Sequence, residues 1–465
     1  MKSISLFNCF VLSRIVLFSC NQNDNGKRNA NAEDRPNIVF MLADDLGWSE
    51  VGFNNDSKKH TPNIDQLKEE GLSLTQFYVH AVCAPSRTVF LTCRYPFRNW
   101  TDWRSEDFGK PSYLNMLGMQ LEKNKEGQET RRIHALASDE KTIAEALQEQ
   151  GYATAIMGKW GCGEWLLKHL PMQQGFMHQY GHYGWGLDYT NYTIPHNAPA
   201  RFAVYDWHRN QEPLNEQEYA TDLIANEVVH QLSKHKDEYG NDPFFYYVPF
   251  NAIHGPLEEI PRYVDKVGKR NAAIKCLDDA VGRTVGAIDQ YGFGENILIV
   301  FTNDNGAIRD TMNAPYRGTK NTNYEGGVRA PCIVYWPSKV ASGKEHNGLM
   351  RITDFYPTLI HMAGGTIAQT LPIDGIEMTS IIVKGEKSQR EEIIYEGSNS
   401  VRPPAIRQGD YKLIGEELYN IIEDPNEQVN LATISPDIAI SLKVRIDEVG
   451  NERPPLPDMR LLMTP

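Results

Sequence analysis

The sequence predicts an α/β fold, a sheet with helices on both faces followed by a smaller C-terminal part, and three observations lead to it. Short apolar runs of strand length recur along the chain, helical pattern separates them, and a polar cluster comes after each run. At 465 residues the chain exceeds one small domain and suits a large domain plus a small one. Hydrophobic residues make up 41% and charged residues 23%, an ordinary globular balance. The net charge of −13 argues against a nucleic-acid partner and means that an anionic ligand needs its own local basic lining.

Residues 1–20 stand apart as an export signal. Lys2 precedes the apolar runs Phe10–Leu12 and Ile15–Phe18, which together are too short to span a bilayer. Leu17-Phe18-Ser19-Cys20 resembles a bacterial lipoprotein cleavage box, with a lipid on Cys20; a cleaved soluble leader and an uncleaved anchor are the alternatives. A lipid there is the only membrane association expected, and the location is then the periplasm or cell envelope. Residues 21–34 are polar and Asn-rich and read as a flexible tether. No later segment is a transmembrane candidate. Beyond the leader, Cys83, Cys93, Cys162, Cys276 and Cys332 show neither paired spacing nor a zinc pattern.

The strands come next. Asn37–Leu42, Ala153–Met157, Phe244–Val248 and Asn296–Phe301 are continuous apolar runs, the pattern of strands buried on both faces. Between them, Thr61-Pro62 opens a helix that Gly71 closes. Ser138 is expected to open another, with Ile143 and Leu147 on one face and Gly151 at its end. Ile274, Leu277, Val281 and Ile288 recur at helical spacing in a third.

The residues just past each strand carry the chemistry. The first run leads into Asp44-Asp45, the second into Gly158-Lys159, the third into Asn251 and His254, and the fourth into Asn303-Asp304-Asn305-Gly306. Sites in open α/β sheets form at the carboxyl ends of strands, so four such clusters are candidates for one shared site. Any one alone reads more readily as a cap or a solvated loop. Asp44, Asp45, Asp304 and Asn305 are hard oxygen ligands suited to calcium or magnesium. In Cys83-Ala84-Pro85-Ser86-Arg87 the proline fits a first helical turn and sets Cys83 at a helix N-terminus, where backbone N–H groups favour an oxyanion; Arg87 is close enough to pair with a charge there. Taken alone, Cys83 reads equally as a buried or redox cysteine.

These residues resemble the sulfatase family over nearly the whole mature chain. The similar motifs are Arg35–Ile38 with Ala43–Gly47, Thr61–Asp65, Cys83–Arg87 with Leu91-Thr92, Gly151–Thr154 with Gly158–Trp160, Thr302–Gly306, Arg317–Lys320, Tyr324–Arg329, Asp354–Thr358 and Tyr411–Leu413, all in family order. The resemblance implies an alkaline-phosphatase-like mixed sheet sandwiched by helices, with a catalytic domain over 35–385 and an antiparallel sheet plus helix over 386–465. It also implies that a formylglycine-generating maturase converts Cys83 to formylglycine, whose hydrate offers oxygen where a thiol offers a poor calcium ligand.

The same resemblance implies the roles. One calcium ion would bind Asp44, Asp45, modified Cys83, Asp304 and Asn305, and Asp304 could also accept a proton. Arg87, Lys159 and Lys320 would neutralise charge on sulfate, and His254 would protonate the departing alcohol. Lys159, Lys320, His254 and His182 are the candidate substrate-binding residues. The chain departs from the family at Gly161, where a histidine two residues after the signature lysine is usual and assists sulfate release; His169, His178 or His182 could substitute, or bulk water could. It departs again at Cys93, where glycine is usual. The aromatic-rich stretches Tyr95–Ala137 (with Trp100 and Trp103) and Trp165–Tyr219 (with His178, Tyr180, His182, Tyr183, Trp185, Trp207 and His208) suit a sulfated carbohydrate, with an aryl sulfate as the other ester class. They read equally as packed loop aromatics. Two further functional readings stay open: a phosphonate or phosphodiester hydrolase of the same superfamily, and a degenerate sulfosugar-binding lipoprotein with slow turnover.

Overall fold

The structure, a computed structural model, describes residues 35–57, 60–99, 101, 119–123, 129–133, 136, 139–164, 167–193, 205–367, 369–395, 397 and 402–452. The expected leader with Cys20, the tether, and Trp100, Trp103 and Trp165 lie outside the described residues.

A ten-stranded mixed sheet organises the molecule. In chain order its strands are β1 (Asn37–Ala43), β2 (Leu72–Leu74), β3 (Ala153–Lys159), β4 (His178–His182), β5 (His208–Arg209), β6 (Glu212–Pro213), β7 (Phe244–Pro249), β8 (Ile297–Asn303), β9 (Cys332–Tyr335) and β10 (Lys344–His346). Across the sheet they run β10-β2-β9-β8-β1-β7-β3-β4-β5-β6. The central block β8-β1-β7-β3-β4 is parallel, and antiparallel pairings join it to β9 on one side and β5 on the other. The parallel block contains the four runs expected from the sequence and leaves their carboxyl ends on one edge.

Helices cover both faces because each strand is apolar on both. The helices are α1 (Pro62–Glu70), α2 (Cys83–Thr92), α3 (Ile143–Gln148), α4 (Ala220–Tyr239), α5 (Val264–Gln290) and α6 (Phe355–Met362). Ile38, Phe40, Leu42, Ile156 and Val300 meet Phe90 of α2, Ile143 and Leu147 of α3, and Phe355 and Leu359 of α6. Val39, Met41, Ala155 and Met157 meet Ile64 and Leu67 of α1, Ile224 and Val228 of α4, and Ile274, Leu277 and Val281 of α5. Each large side chain buried this way contributes about 1.5–3 kcal/mol. The start of α3 differs from the expectation at Ser138. Thr142 caps it, accepting from the Glu145 amide at 3.1 Å while the Glu145 carboxylate accepts from the Thr142 amide at 2.7 Å. This reciprocal pair stands in the sequence as Thr-x-x-Glu.

Past the main sheet, an antiparallel sheet of Glu392–Tyr395, Ala405–Gln408, Tyr411–Ile414 and Glu417–Asn420 carries one helix, α7 (Pro436–Gly450). An antiparallel sheet with one helix is what the resemblance implies for this part of the chain. One face of this sheet packs on Leu442 and Val449 of α7 and on Tyr95 and Phe97; the other packs on Tyr78, Ala81 and Val328 of the main body. Among the described residues, no helix is long and apolar enough to cross a membrane.

Candidate functional site

The parallel edge collects the polar clusters into one buried site. β1 ends at Ala43, and its continuation bonds to the segment after β7: the Asp44 amide donates to the Ala252 carbonyl at 2.8 Å, and the Ile253 amide donates to the Asp44 carbonyl at 2.5 Å. This pairing carries His254 toward Asp45, with Nε2 4.0 Å from Oδ2. Asp45 then takes a left-handed φ of 61°, a region that Asp tolerates better than most residues. Its Oδ1 accepts from Asn305 Nδ2 at 2.7 Å and from Lys320 Nζ at 2.6 Å. After β8, Gly306 packs so closely on Gly326 that a Cβ would lie 1.8 Å from its carbonyl oxygen. Only glycine allows the Asp304-Asn305 turn to seat against the segment beyond Lys320.

Helix α2 enters from the opposite direction and is buried along its whole length. Cys83, at 6% exposure, is its first residue. Arg87, one turn on, reaches into the carboxylates: Nε and Nη2 donate to Asp304 Oδ2 at 3.1 and 2.7 Å, and Nη2 also donates to Asp44 Oδ2 at 3.1 Å. Ser86 fixes the same turn by donating to the Asp304 carbonyl at 2.5 Å. Lys159, the last residue of β3, donates to Asp44 Oδ2 at 2.5 Å. Three carboxylates therefore face three cations in a water-poor pocket.

The electrostatics come from that arrangement. Burial works against ionisation of Asp44, but Lys159, His254, Arg87 and Lys320 together outweigh it and hold the carboxyl well below the usual range. Asp304 goes the other way: burial and repulsion from Asp44 push its carboxyl up to about 6. A cation held between the carboxylates would offset that repulsion. The oxygens Asp44 Oδ1 and Asn305 Oδ1 are buried and have no hydrogen-bond partner, the situation expected of metal-facing donors. Asp44, Asp45 and His254 each place one ligand atom within 4.8 Å of the others. An imidazole in that group differs from the all-oxygen set expected from the sequence. The Nδ1–H of His254 donates to the Gly255 carbonyl at 2.7 Å, which leaves Nε2 as the ring atom that faces Asp45.

Each residue expected from the sequence has a place. Asp44, Asp45, Arg87, Lys159, His254, Asp304, Asn305 and Lys320 are linked by the contacts above. Cys83 adjoins them as the first residue of α2, one turn before Arg87. His182 ends β4 in register with Lys159. It is fully buried, Asp206 Oδ2 lies 4.0 Å from its Nδ1, neither ring nitrogen makes a hydrogen bond, and burial pushes its pKa down to about 3. His178 pairs instead with Glu227 at 2.8 Å, and His169 supplies its carbonyl to Trp160 Nε1 at 3.0 Å. Gly161 has a φ of 66°, and a Cβ there would lie 3.4 Å from Arg87 Cδ and 3.5 Å from Lys159 Cε, so the position faces the site. Cys93 is the left-handed C-cap of α2 with φ 63°, which accounts for glycine being usual there.

Sequence reasoning misses the supports. Arg270 donates to the Asp45 carbonyl at 2.8 Å while paired with Glu50 at 2.7 Å. Tyr189 donates to the carbonyls of Asn251 and His254 at 2.9 and 2.8 Å. Asp206 accepts from the amides of Tyr183 and Gly184 at 3.0 and 2.7 Å. None stands in a motif, so spacing offers no signal for them.

Fold and site define a class: an α/β protein that gathers a hard-cation cradle and basic side chains at one sheet edge, equipped to receive a tetrahedral oxyanion. The chain belongs to the sulfatase family of sulfuric ester hydrolases, whose family model matches residues 36–365. A second model, N-sulphoglucosamine sulphohydrolase, C-terminal, matches residues 319–451. Arylsulfatase J of Mus musculus is 31% identical over 372 residues, covering 78% of this chain and 58% of that protein. The chain thus spans little more than half the length of that relative. N-acetylgalactosamine-6-sulfatase of Mus musculus is 29% identical over 406 residues, covering 82% and 72%. Among solved structures, Ps i-CgsB in complex with k-i-k-neocarrahexaose aligns at TM-score 0.75 and 26% identity, covering 90% of this chain and 94% of that one. PsFucS1 sulfatase from Pseudoalteromonas sp. aligns at TM-score 0.73 and 26% identity, covering 91% and 92%. The mixed sheet is accordingly of the alkaline-phosphatase-like type.

Proposed function

We propose that this chain hydrolyses sulfate esters of carbohydrates at the site around Asp44, as an exported protein with a lipid on Cys20. The observation that carries the reading is the pair of buried, partnerless oxygens on Asp44 and Asn305 beside three balanced carboxylate–cation contacts. Asp44, Asp45, Asp304 and Asn305 would hold one calcium ion, which supplies Lewis acidity toward a sulfate oxygen, while formylglycine made from Cys83 supplies an oxygen nucleophile. The three carboxylates and three cations cancel, so the bound ion leaves a positive excess that suits a sulfate monoester.

The chain's own residues divide the remaining work. Lys159 is held by Asp44 and Lys320 by Asp45, and each can turn a donor toward sulfate. Arg87 bridges Asp44 and Asp304 and holds them close. The Nδ1–H of His254 donates to a carbonyl and aims Nε2 at the site; burial disfavours the cationic ring and Asp44 and Asp45 favour it, and in that doubly protonated form Nε2–H would give its proton to the departing sugar oxygen. His182 is the histidine that stands in for the one missing at position 161. It is register-paired with Lys159, and its neutral ring is free to hold a water or a hydroxyl.

The test is expression with the maturase, mass spectrometry of the Cys83 peptide, and sulfate release from galactose, N-acetylgalactosamine, fucose and glucosamine sulfates. Steady release together with modified Cys83 is the expected result. Release with unmodified cysteine would overturn the nucleophile, and faster cleavage of a phosphonate ester than of the sulfate ester of one alcohol would favour the superfamily alternative. The glycine at 161 favours one second reading, a sulfosugar binder with slow turnover. A burst of one sulfate per site and then slow release would mark it.

A further inference from the structure

We infer that Trp185 is the residue that reads the sugar ring, a stacking platform for the pyranose whose oxygen departs beside His254. The inference rests on the sulfate-ester reading and adds a specificity determinant to it.

Trp185 is 42% exposed, an unusual position for the largest apolar side chain. Its ring lies 6.1 Å from the His254 ring at 74°, so it flanks the residue assigned to the leaving group. The exposure does not come from a loose loop. Just before it, Asp206 holds the amides of Tyr183 and Gly184. Just after it, Leu187 is buried in the core, and Tyr189 stacks on Tyr219 at 4.7 Å while its hydroxyl ties down the carbonyls of Asn251 and His254. The same anchors therefore fix Trp185 and His254 relative to each other. An indole held rigid and in water loses little freedom when a ligand covers it. The oxygen that His254 protonates belongs to the sugar, so that sugar's C–H face lies within reach of the indole. Inorganic sulfate, held by Lys159 and Lys320, has no atoms to place there.

The experiment compares W185A and W185F with the wild type, all with modified Cys83. It uses whichever of galactose, N-acetylgalactosamine, fucose and glucosamine sulfate the wild type cleaves fastest, and inorganic sulfate as a competitive inhibitor. W185A is expected to raise KM about tenfold with kcat within about threefold, and W185F to retain most of the affinity. The inhibition constant of inorganic sulfate and the Tm should stay at wild-type values. An unchanged KM in W185A would overturn the inference, as would a parallel rise in the sulfate inhibition constant, since Trp185 would then shape the anion pocket. A wild type that releases sulfate from none of these esters overturns the parent reading, and the inference falls with it.

Discussion

Gly161 shows how much one side chain decides at this site. Its backbone is left-handed and its missing Cβ points at Arg87 and Lys159, so the position could carry a group that touches substrate. Restoring a histidine is expected to be costly, because a non-glycine residue in that region loses about 1–2 kcal/mol. We expect G161H to lower Tm without raising turnover, measured by thermal unfolding and steady-state sulfate release; a faster enzyme of equal Tm would contradict this. The metal prediction is also a residue-scale one. Asp44 Oδ1 and Asn305 Oδ1 lack protein partners, so calcium added after chelation should raise the Tm of the wild type by mass action. In N305A the same calcium concentration should give a smaller rise, read by titration calorimetry as weaker affinity.

At the scale of elements, the site edge depends on how helices are pinned to strands. Glu227 of α4 sits under β4 and β5, taking hydrogen bonds from His178 at 2.8 Å, Arg209 at 2.6 Å and Gln231 at 3.0 Å. Burial opposes its ionisation, yet these three partners bring its pKa down to about 2 from 4.5. A carboxyl depressed in the folded state contributes stability above its unfolded pKa and loses it as pH falls through the folded one. The shift corresponds to about 3 kcal/mol. E227Q should therefore unfold at lower urea than the wild type at pH 7, with the gap shrinking below about pH 5 and closing toward pH 2. A gap constant down to pH 3 would show that packing, not charge, holds this helix. Because β4 ends in His182, loosening this contact should also slow sulfate release.

For the whole molecule, the small C-terminal sheet is joined to the catalytic edge by a buried charge cluster. Lys412 reaches Glu325 at 2.9 Å and Glu427 at 3.0 Å with all three side chains at 0% exposure. Glu325 in turn accepts from the Tyr78 hydroxyl at 2.7 Å, and Tyr78 accepts from Arg407. Lys412 overcomes burial to bring Glu325 down to about 2, while burial leaves Glu427 up at about 7. Removing the lysine strands two carboxylates together, and breaking a buried pair in this way costs about 3–5 kcal/mol. K412M should show a matching loss in denaturant unfolding. The chain ended at residue 385 should not fold, because Tyr78, Ala81 and Val328 would lose the apolar sheet that covers them.

Much of the site is legible in the sequence because its signals are local. Asp44-Asp45, Lys159 and Asp304-Asn305 each stand at the end of an apolar run, and parallel strands bring all their carboxyl ends to one edge whatever their order. Cys83 and Arg87 are one helical turn apart, a spacing the sequence states outright, and Thr-x-x-Glu marks the cap of α3 better than Ser138 does. Other features depend on which strands are neighbours, and an apolar run does not encode its neighbour. The pairing of β3 with β4 singles out His182 over His169 and His178. Asp206, Tyr189 and Arg270 are invisible in the sequence because their partners lie far away along the chain and meet them only after the sheet has closed. The chain alone thus determined the chemical groups and the edge where they gather; which cation faces which carboxylate, and which aromatic stands beside His254, was decided by tertiary packing, since those contacts exist only between elements that packing makes adjacent.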